Sequence, residues 1–209
     1  GDMYDVAFYD QALGDYPVFR APIFSSSYFE KVKAVEPGSC LKTGTFFDAT
    51  SMFTHEYRRL EQVMEEIEPA LRASISSRLI SDVPVGLLFS GGIDSNLLKI
   101  HCPSHLTCLT GGFENDFDIS YASEMSDSKD REFTLVIPSH EQYRTRLKEM
   151  VKLRKEPLSV PNEVILSFLA ETWAKRGGKV LISGEAADEF FAGYDRIFSW
   201  GAQTPEFDV

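Results

Sequence analysis

The chain has 209 residues, 43% of them apolar and 25% charged, which gives room for one full-sized core or one core with a small appendage and excludes disordered and fibrous classes. A formal net charge of −11 disfavours a DNA or RNA partner, since nucleic-acid binding draws on clustered Lys and Arg at the phosphates. No apolar run reaches the roughly 18 to 20 residues that span a bilayer, and the acidic opening GDMYDVAFYD is unlike a signal peptide, so the expectation is a folded cytoplasmic protein with no membrane partner.

Residues 1–53 are rich in Phe, Tyr, Pro, Gly and Ser and carry extended-looking pieces, VKAV (32–35) and CLKTGTFF (40–47), with a turn at Glu36-Pro37-Gly38-Ser39 between them. They read as a small N-terminal β-rich segment set apart from a domain over 54–209. From Tyr57 the apolar residues Leu60, Val63, Met64, Ile67, Leu71, Ile75 and Leu79 recur at helical steps. PVGLLF (84–89) then suits a strand covered on both faces, SGGIDS (90–95) follows it directly, and NLLKI resumes a short helix. Strands are expected at 106–109 and 133–137, with a helix near 120–126 between them. Helices are expected at 141–154 and 163–175, the second ended by Gly177-Gly178, and KVLIS (179–183) reads as one more buried strand. Strands alternating with helices predict a doubly wound α/β fold, a mainly parallel sheet with helices on both faces.

In such sheets ligands bind beyond the carboxyl ends of the strands, and two motifs sit there. Gly91 and Gly92 let the backbone turn sharply and bring its N–H groups to an anion. The hydroxyls of Ser90 and Ser95 can donate to phosphate oxygens, and the helix beginning near Asp94 adds its positive end. The loop has no GxxxxGK[ST] and no GxGxxG, which argues against a P-loop hydrolase and a dinucleotide enzyme. An acidic Asp94 beside polyphosphate requires an intervening cation, so Asp94 and Asp188 are the expected holders of Mg²⁺. The second motif, GEAADEFFAGY (184–194), leaves the companion strand.

SDVPVGLLFSGGIDSNLL (81–98) and VLISGEAADEFFAGY (180–194) resemble the two signature segments of the synthetase domain of class B asparagine synthetases, a group that includes the β-lactam synthetases. Phe113-Glu114 and EPLSVP (156–161) are similar to further landmarks in the same order, so the resemblance covers about 54–200, and YFEKVKAVEPGSCLKTG resembles the end of the family's glutaminase half. It implies an adenine nucleotide alpha-hydrolase-like fold and a ligase reaction. ATP and a carboxylate, aspartate's side chain in asparagine synthetase, give an acyl-adenylate and pyrophosphate, and ammonia or an amine then attacks. By motif position it implies that Ser90, Gly91, Gly92, Asp94 and Ser95 bind pyrophosphate and its Mg²⁺. Leu88, Gly111, Ser183 and Gly184 would meet adenosine, Glu185 and Asp188 would serve substrate and metal, and Tyr194 would lie near the reacting acyl group.

Three features depart from the family pattern. The chain opens Gly1-Asp2-Met3 and its first cysteine is Cys40, so glutamine hydrolysis is not expected within it. The family's C-terminal helical region, with its catalytic lysine, is expected to extend past residue 209, so the segment reads as truncated at both ends and a homodimer, or a separate glutaminase or C-terminal partner, is the expected assembly. Ala186 and Ala192 stand where glycine is common. A nucleotide-binding module without chemistry and a pyrophosphatase acting on tRNA are the alternatives. Cys40, Cys102 and Cys108 form no CxxC pair or zinc spacing and read as reduced and structural. His55, His101, His105 and His140 read as surface or packing residues. Phe190, Phe191, Tyr194, Ile197 and Phe198 read as a core-packing helical set, and the basic residues between Arg144 and Lys155 as a solvated helix face.

Overall fold

A computed structural model describes residues 7–23, 27–52, 57–126, 131–191 and 193–194. His55, Ala192, Ile197 and Phe198, singled out above, lie outside the described residues. The chain divides into two compact units, Gly1–Val63 with Arg144–Val164, and Met64–Tyr143 with Ile165–Val209.

The first unit begins with helix α1 (Asp10–Phe19), which the sequence does not announce because it contains Gly14 and Pro17. Ala12 on this helix is fully buried. Phe8 pairs with Phe29 through an isolated antiparallel bridge, their rings 5.5 Å apart. The expected turn is present, with the Ser39 N–H donating to the Glu36 carbonyl at 3.1 Å. The piece after it folds back on itself, strand β1 (Ser39–Cys40) pairing antiparallel with β2 (Gly44–Thr45). The EPLSVP loop also belongs to this unit. Glu163 accepts from the Ser159 and Val160 N–H groups at 2.8 and 3.2 Å, Arg154 bonds Glu156 and Glu163, and the Tyr16 hydroxyl donates to the Leu158 carbonyl at 2.7 Å.

The second unit is the predicted parallel α/β layer. Its strands are β3 (Val85–Leu88), β4 (Thr107–Gly111), β5 (Phe133–Val136) and β6 (Val180–Ile182), all parallel, in the spatial order β5-β4-β3-β6. Leu87 lies opposite Cys108 on one side and Ile182 on the other. Alternation along each strand divides the core in two. Leu87, Phe89 and Cys108 pack with Leu98 of α3 (Ile93–His101) and with Tyr121 and Ala122 of α4 (Phe117–Ser126). Ile75 of α2 (Leu60–Arg78) joins Cys102 and Leu106 with Val85 and Ile182 around it. On the opposite set of side chains, Leu109 packs with Leu169 and Trp173 of α6 (Asn162–Lys175), together with Leu88, Val136 and Leu181. Helices therefore cover both faces, which is the doubly wound arrangement. Burying side chains of this size contributes about 1.5–3 kcal/mol each.

Two expectations shift. Only the C-terminal half of α2 is core, since Leu60, Met64 and Ile67 are exposed while Leu71, Ile75 and Leu79 pack inward. Phe190 and Phe191, read from spacing as core, are exposed at 71% and 72%, because α7 (Ala187–Phe191) has five residues and presents them at its surface. Helix α5 (His140–Arg154) has no buried residue, as a solvated charged face requires. Cys102 and Cys108 are buried free thiols, burial pushing Cys108 up to about 11, while Cys40 is exposed. Among the described residues no helix is long and apolar enough to cross a membrane.

Candidate functional site

The sheet order places the two motifs side by side. From β3 the chain steps outward to β4 and β5, then returns to lay β6 on the other flank of β3. The crevice between the carboxyl ends of β3 and β6 is thus the topological switch point, where open α/β sheets take ligands. SGGIDS leaves β3 and SGEAADEFFAGY leaves β6. Gly184 shows how near the two loops come: a Cβ built on it would lie 3.0 Å from the Asp94 Cβ and 3.5 Å from the Ser95 nitrogen. A side chain there would press the two motifs apart.

Within the first loop Gly91 has φ of 84° and Gly92 caps α3 with no side-chain hydrogen bond of its own. The first N–H groups of a nine-residue helix therefore face the loop without a side-chain cap, the arrangement that favours an anion. Ser95 is buried, and its hydroxyl works inside the loop, accepting from the Gly91 N–H and donating to the Gly92 carbonyl, both at 3.1 Å. Ser90 is exposed, its Oγ 3.3 Å from that of Ser95. Asp94 stands in the first turn of α3, half-buried.

Three residues that sequence reasoning passed over complete this loop. The Asn96 carboxamide donates to the Gly91 carbonyl at 2.7 Å and to the Gly92 carbonyl at 3.1 Å. The Tyr121 ring fills the place where a Gly91 side chain would be, 2.5 Å from the built Cβ, and it stacks on Phe89 and Phe117 with centroids 6.1 and 5.9 Å apart. The Thr110 hydroxyl, buried, donates to the Phe89 carbonyl at 2.6 Å. Asn96 adjoins the motif and could have been found there; Tyr121 and Thr110 carry no local signal, because they arrive from β4 and α4.

At the end of β4, Gly111 lies against Ile165 and Leu169, and the Phe113 N–H donates to the Asp116 carboxylate at 2.6 Å. Phe113 in turn stacks with His140 at 4.7 Å and Tyr143 at 5.4 Å, so His140 is a packing partner. Leu88 is held in the α6-side core. In the second loop Ser183 and Glu185 are exposed, and Asp188 is half-buried in the first turn of α7. Ala186 adopts φ of 75°. The Tyr194 hydroxyl donates to the Glu189 carboxylate at 2.6 Å, which pushes the phenol up to about 12 and holds the Glu189 carboxyl below its ordinary range.

A parallel sheet with an SGGxDS loop and an SGExxDE loop meeting at its switch point defines an α/β domain with one ligand crevice, and comparison with known proteins gives its family. The asparagine synthase family model matches residues 66–207, so the chain belongs to that family. Among curated relatives, asparagine synthetase [glutamine-hydrolyzing] 1 of Bacillus subtilis is 31% identical over 91% of this chain and 32% of its own length. Amidase chyE of Penicillium rubens is 28% identical over 89% of this chain and 34% of its own. The chain thus spans about a third of the length of these relatives. A solved structure, the NH3-dependent NAD synthetase of Campylobacter jejuni in complex with nitrate, is similar with a TM-score of 0.42 and 17% identity, covering 66% of this chain and 62% of that one.

Proposed function

We propose that this chain carries the nucleotide site of a ligase in which a carboxylate oxygen, of aspartate or a close relative, attacks the α-phosphorus of ATP. Pyrophosphate leaves and an acyl-adenylate forms; ammonia or an amine from outside the chain then displaces AMP. The observation that carries the reading is the approach of Gly184 to Asp94, which joins the two loops into one crevice at the switch point.

In this reading the loop of Ser90, Gly91, Gly92 and Ser95 receives pyrophosphate, and Leu88, Gly111, Ser183 and Gly184 border the adenosine. Glu185 and Tyr194 face the carboxylate side. Asp94 and Asp188 are the residues that would hold Mg²⁺. They suit it: each is a half-buried carboxylate in the first turn of its helix, and magnesium takes one or two carboxylates together with phosphate oxygens. The metal would neutralise charge on the departing pyrophosphate. The residues of the chain supply orientation and fixed dipoles, which is most of what adenylation needs. We place the protein in the cytoplasm, where ATP and small carboxylates are available.

The test is pyrophosphate release from MgATP with aspartate and ammonia, compared with an Asp94→Ala variant. The expected outcome is release that falls by about a hundredfold or more in the variant, as loss of a charge-stabilising group does. If MgATP binds and no carboxylate yields Asp94-dependent pyrophosphate, a nucleotide-binding module takes the ligase's place.

A further inference from the structure

We propose that Asn96 is a positioning residue whose carboxamide locks the Gly91–Gly92 peptide, so that the loop keeps N–H groups rather than a carbonyl toward bound polyphosphate. The inference rests on the nucleotide reading above. Two adjacent glycines leave the peptide plane between them without a Cβ on either side, and such a plane rotates with little steric resistance. Half a turn would exchange the Gly92 N–H for the Gly91 carbonyl, presenting a partial negative charge to a polyanion.

The contacts divide the work. Ser95 holds the flanking groups, taking the Gly91 N–H and donating to the Gly92 carbonyl. Of the peptide between them, the carbonyl is held by Asn96 at 2.7 Å, while the Gly92 N–H reaches the Ser90 Oγ only at 3.4 Å. Asn96 is placed to do this by the helix itself. Its N–H donates to the Gly92 carbonyl at 3.0 Å, one turn back, and side chains in α-helices lean toward the N-terminus. Facing two carbonyl acceptors, the amide must present its nitrogen, which fixes its orientation. No other end of the side chain serves.

MgATP and AMP are titrated separately into the unsubstituted chain, Asn96→Leu and Asn96→Ser, with melting temperatures and backbone relaxation dispersion at Gly92. Leucine keeps the bulk and removes the donor; serine keeps a donor able to reach a carbonyl in the preceding turn. The expected result is that Asn96→Leu weakens MgATP about tenfold and AMP by less than about twofold, with the melting temperature held and new microsecond-to-millisecond exchange at Gly92. Asn96→Ser, whose hydroxyl reaches the Gly92 carbonyl and not that of Gly91, restores little of the MgATP affinity. MgATP affinity unchanged in Asn96→Leu overturns the proposal, as does an equal loss for both nucleotides together with a lowered melting temperature. Failure of the unsubstituted chain to bind MgATP overturns the nucleotide reading and this inference with it.

Discussion

Both β3 and β6 run into a short loop that turns directly into a helix, and both loops pass through the left-handed region of backbone space, at Gly91 with φ of 84° and at Ala186 with φ of 75°. The first uses glycine and the second does not. A methyl group in that region costs about 1–2 kcal/mol, which the second loop tolerates because the Ala186 side chain is exposed. The first has no such outlet, since the Tyr121 ring occupies the space beside Gly91. Hydrogen bonding is alike in one respect and different in another. The serine that opens each loop accepts from an N–H two residues on at 3.4 Å, Ser90 from Gly92 and Ser183 from Glu185, and the first loop is tied in addition by Ser95 and Asn96 of its own helix at 2.7 to 3.1 Å. The strand-to-helix connection demands the left-handed turn; glycine becomes compulsory only where the side chain's space is also taken.

The most severe way to break this contrast is Gly91→Ala. Backbone strain of about 1–2 kcal/mol and overpacking of about 1–3 kcal/mol combine to about 2–5 kcal/mol. For a chain of this size that lowers the melting temperature by about 5–15 °C, and MgATP binding is lost with it. Placing the same change in a Tyr121→Ala background separates the two causes. The added cost of alanine at 91 should then shrink to the backbone part, and a double-mutant cycle showing simple additivity would mean that the ring is not what excludes a side chain.

Much of the fold was legible because it is written in local pattern. The apolar runs at 85–88 and 180–182 are strands, and the i, i+4, i+8 series Leu71, Ile75 and Leu79 is the inward face of α2 and of the residue just after it. The SGGIDS loop announces itself through its glycines. Long-range placement was not legible. The order β5-β4-β3-β6, which makes the two motifs neighbours, is a property of the whole sheet, and Tyr121 reaches Gly91 only through it. Helix α1 is hidden behind Gly14 and Pro17, whose propensities tertiary contacts override. Phe190 and Phe191 mislead in the other direction: helical spacing states which residues share a face, and it leaves open what covers that face.

A smaller effect sharpens the comparison from the β6 side. Ala186→Gly relieves the left-handed strain and, in exchange, loosens the unfolded chain by about 0.4–1 kcal/mol. Set against about 1–2 kcal/mol of strain, the net gain is about 0–1.5 kcal/mol, read as a rise of up to a few degrees in thermal melting. A fall on this substitution would mean that Ala186 is not strained, and the parallel between the loops would fail at its base.

The smallest effect concerns the end of the second loop, where Tyr194 donates to Glu189 at 2.6 Å, as short a bond as that of Thr110 behind the first. It favours the neutral phenol, raising Tyr194 from an ordinary 10.0 to about 12, and the ionised carboxylate, lowering Glu189. The two shifts set opposite limits. The phenol's contribution is complete below about pH 10 and is lost as pH rises through about 12; the carboxylate's is complete above its unfolded value and is lost as pH falls through its lowered one. Both are intact at neutral pH. Both groups lie at the surface, so the signature belongs in titration rather than in melting. The phenolate absorbance of the unsubstituted chain minus that of Tyr194→Phe should show one tyrosine titrating well above the ordinary range, and Glu189→Gln should bring it back toward 10. An unshifted Tyr194 in that difference spectrum would show that the second loop lacks even this tie, and would widen the contrast with the loop around Gly91.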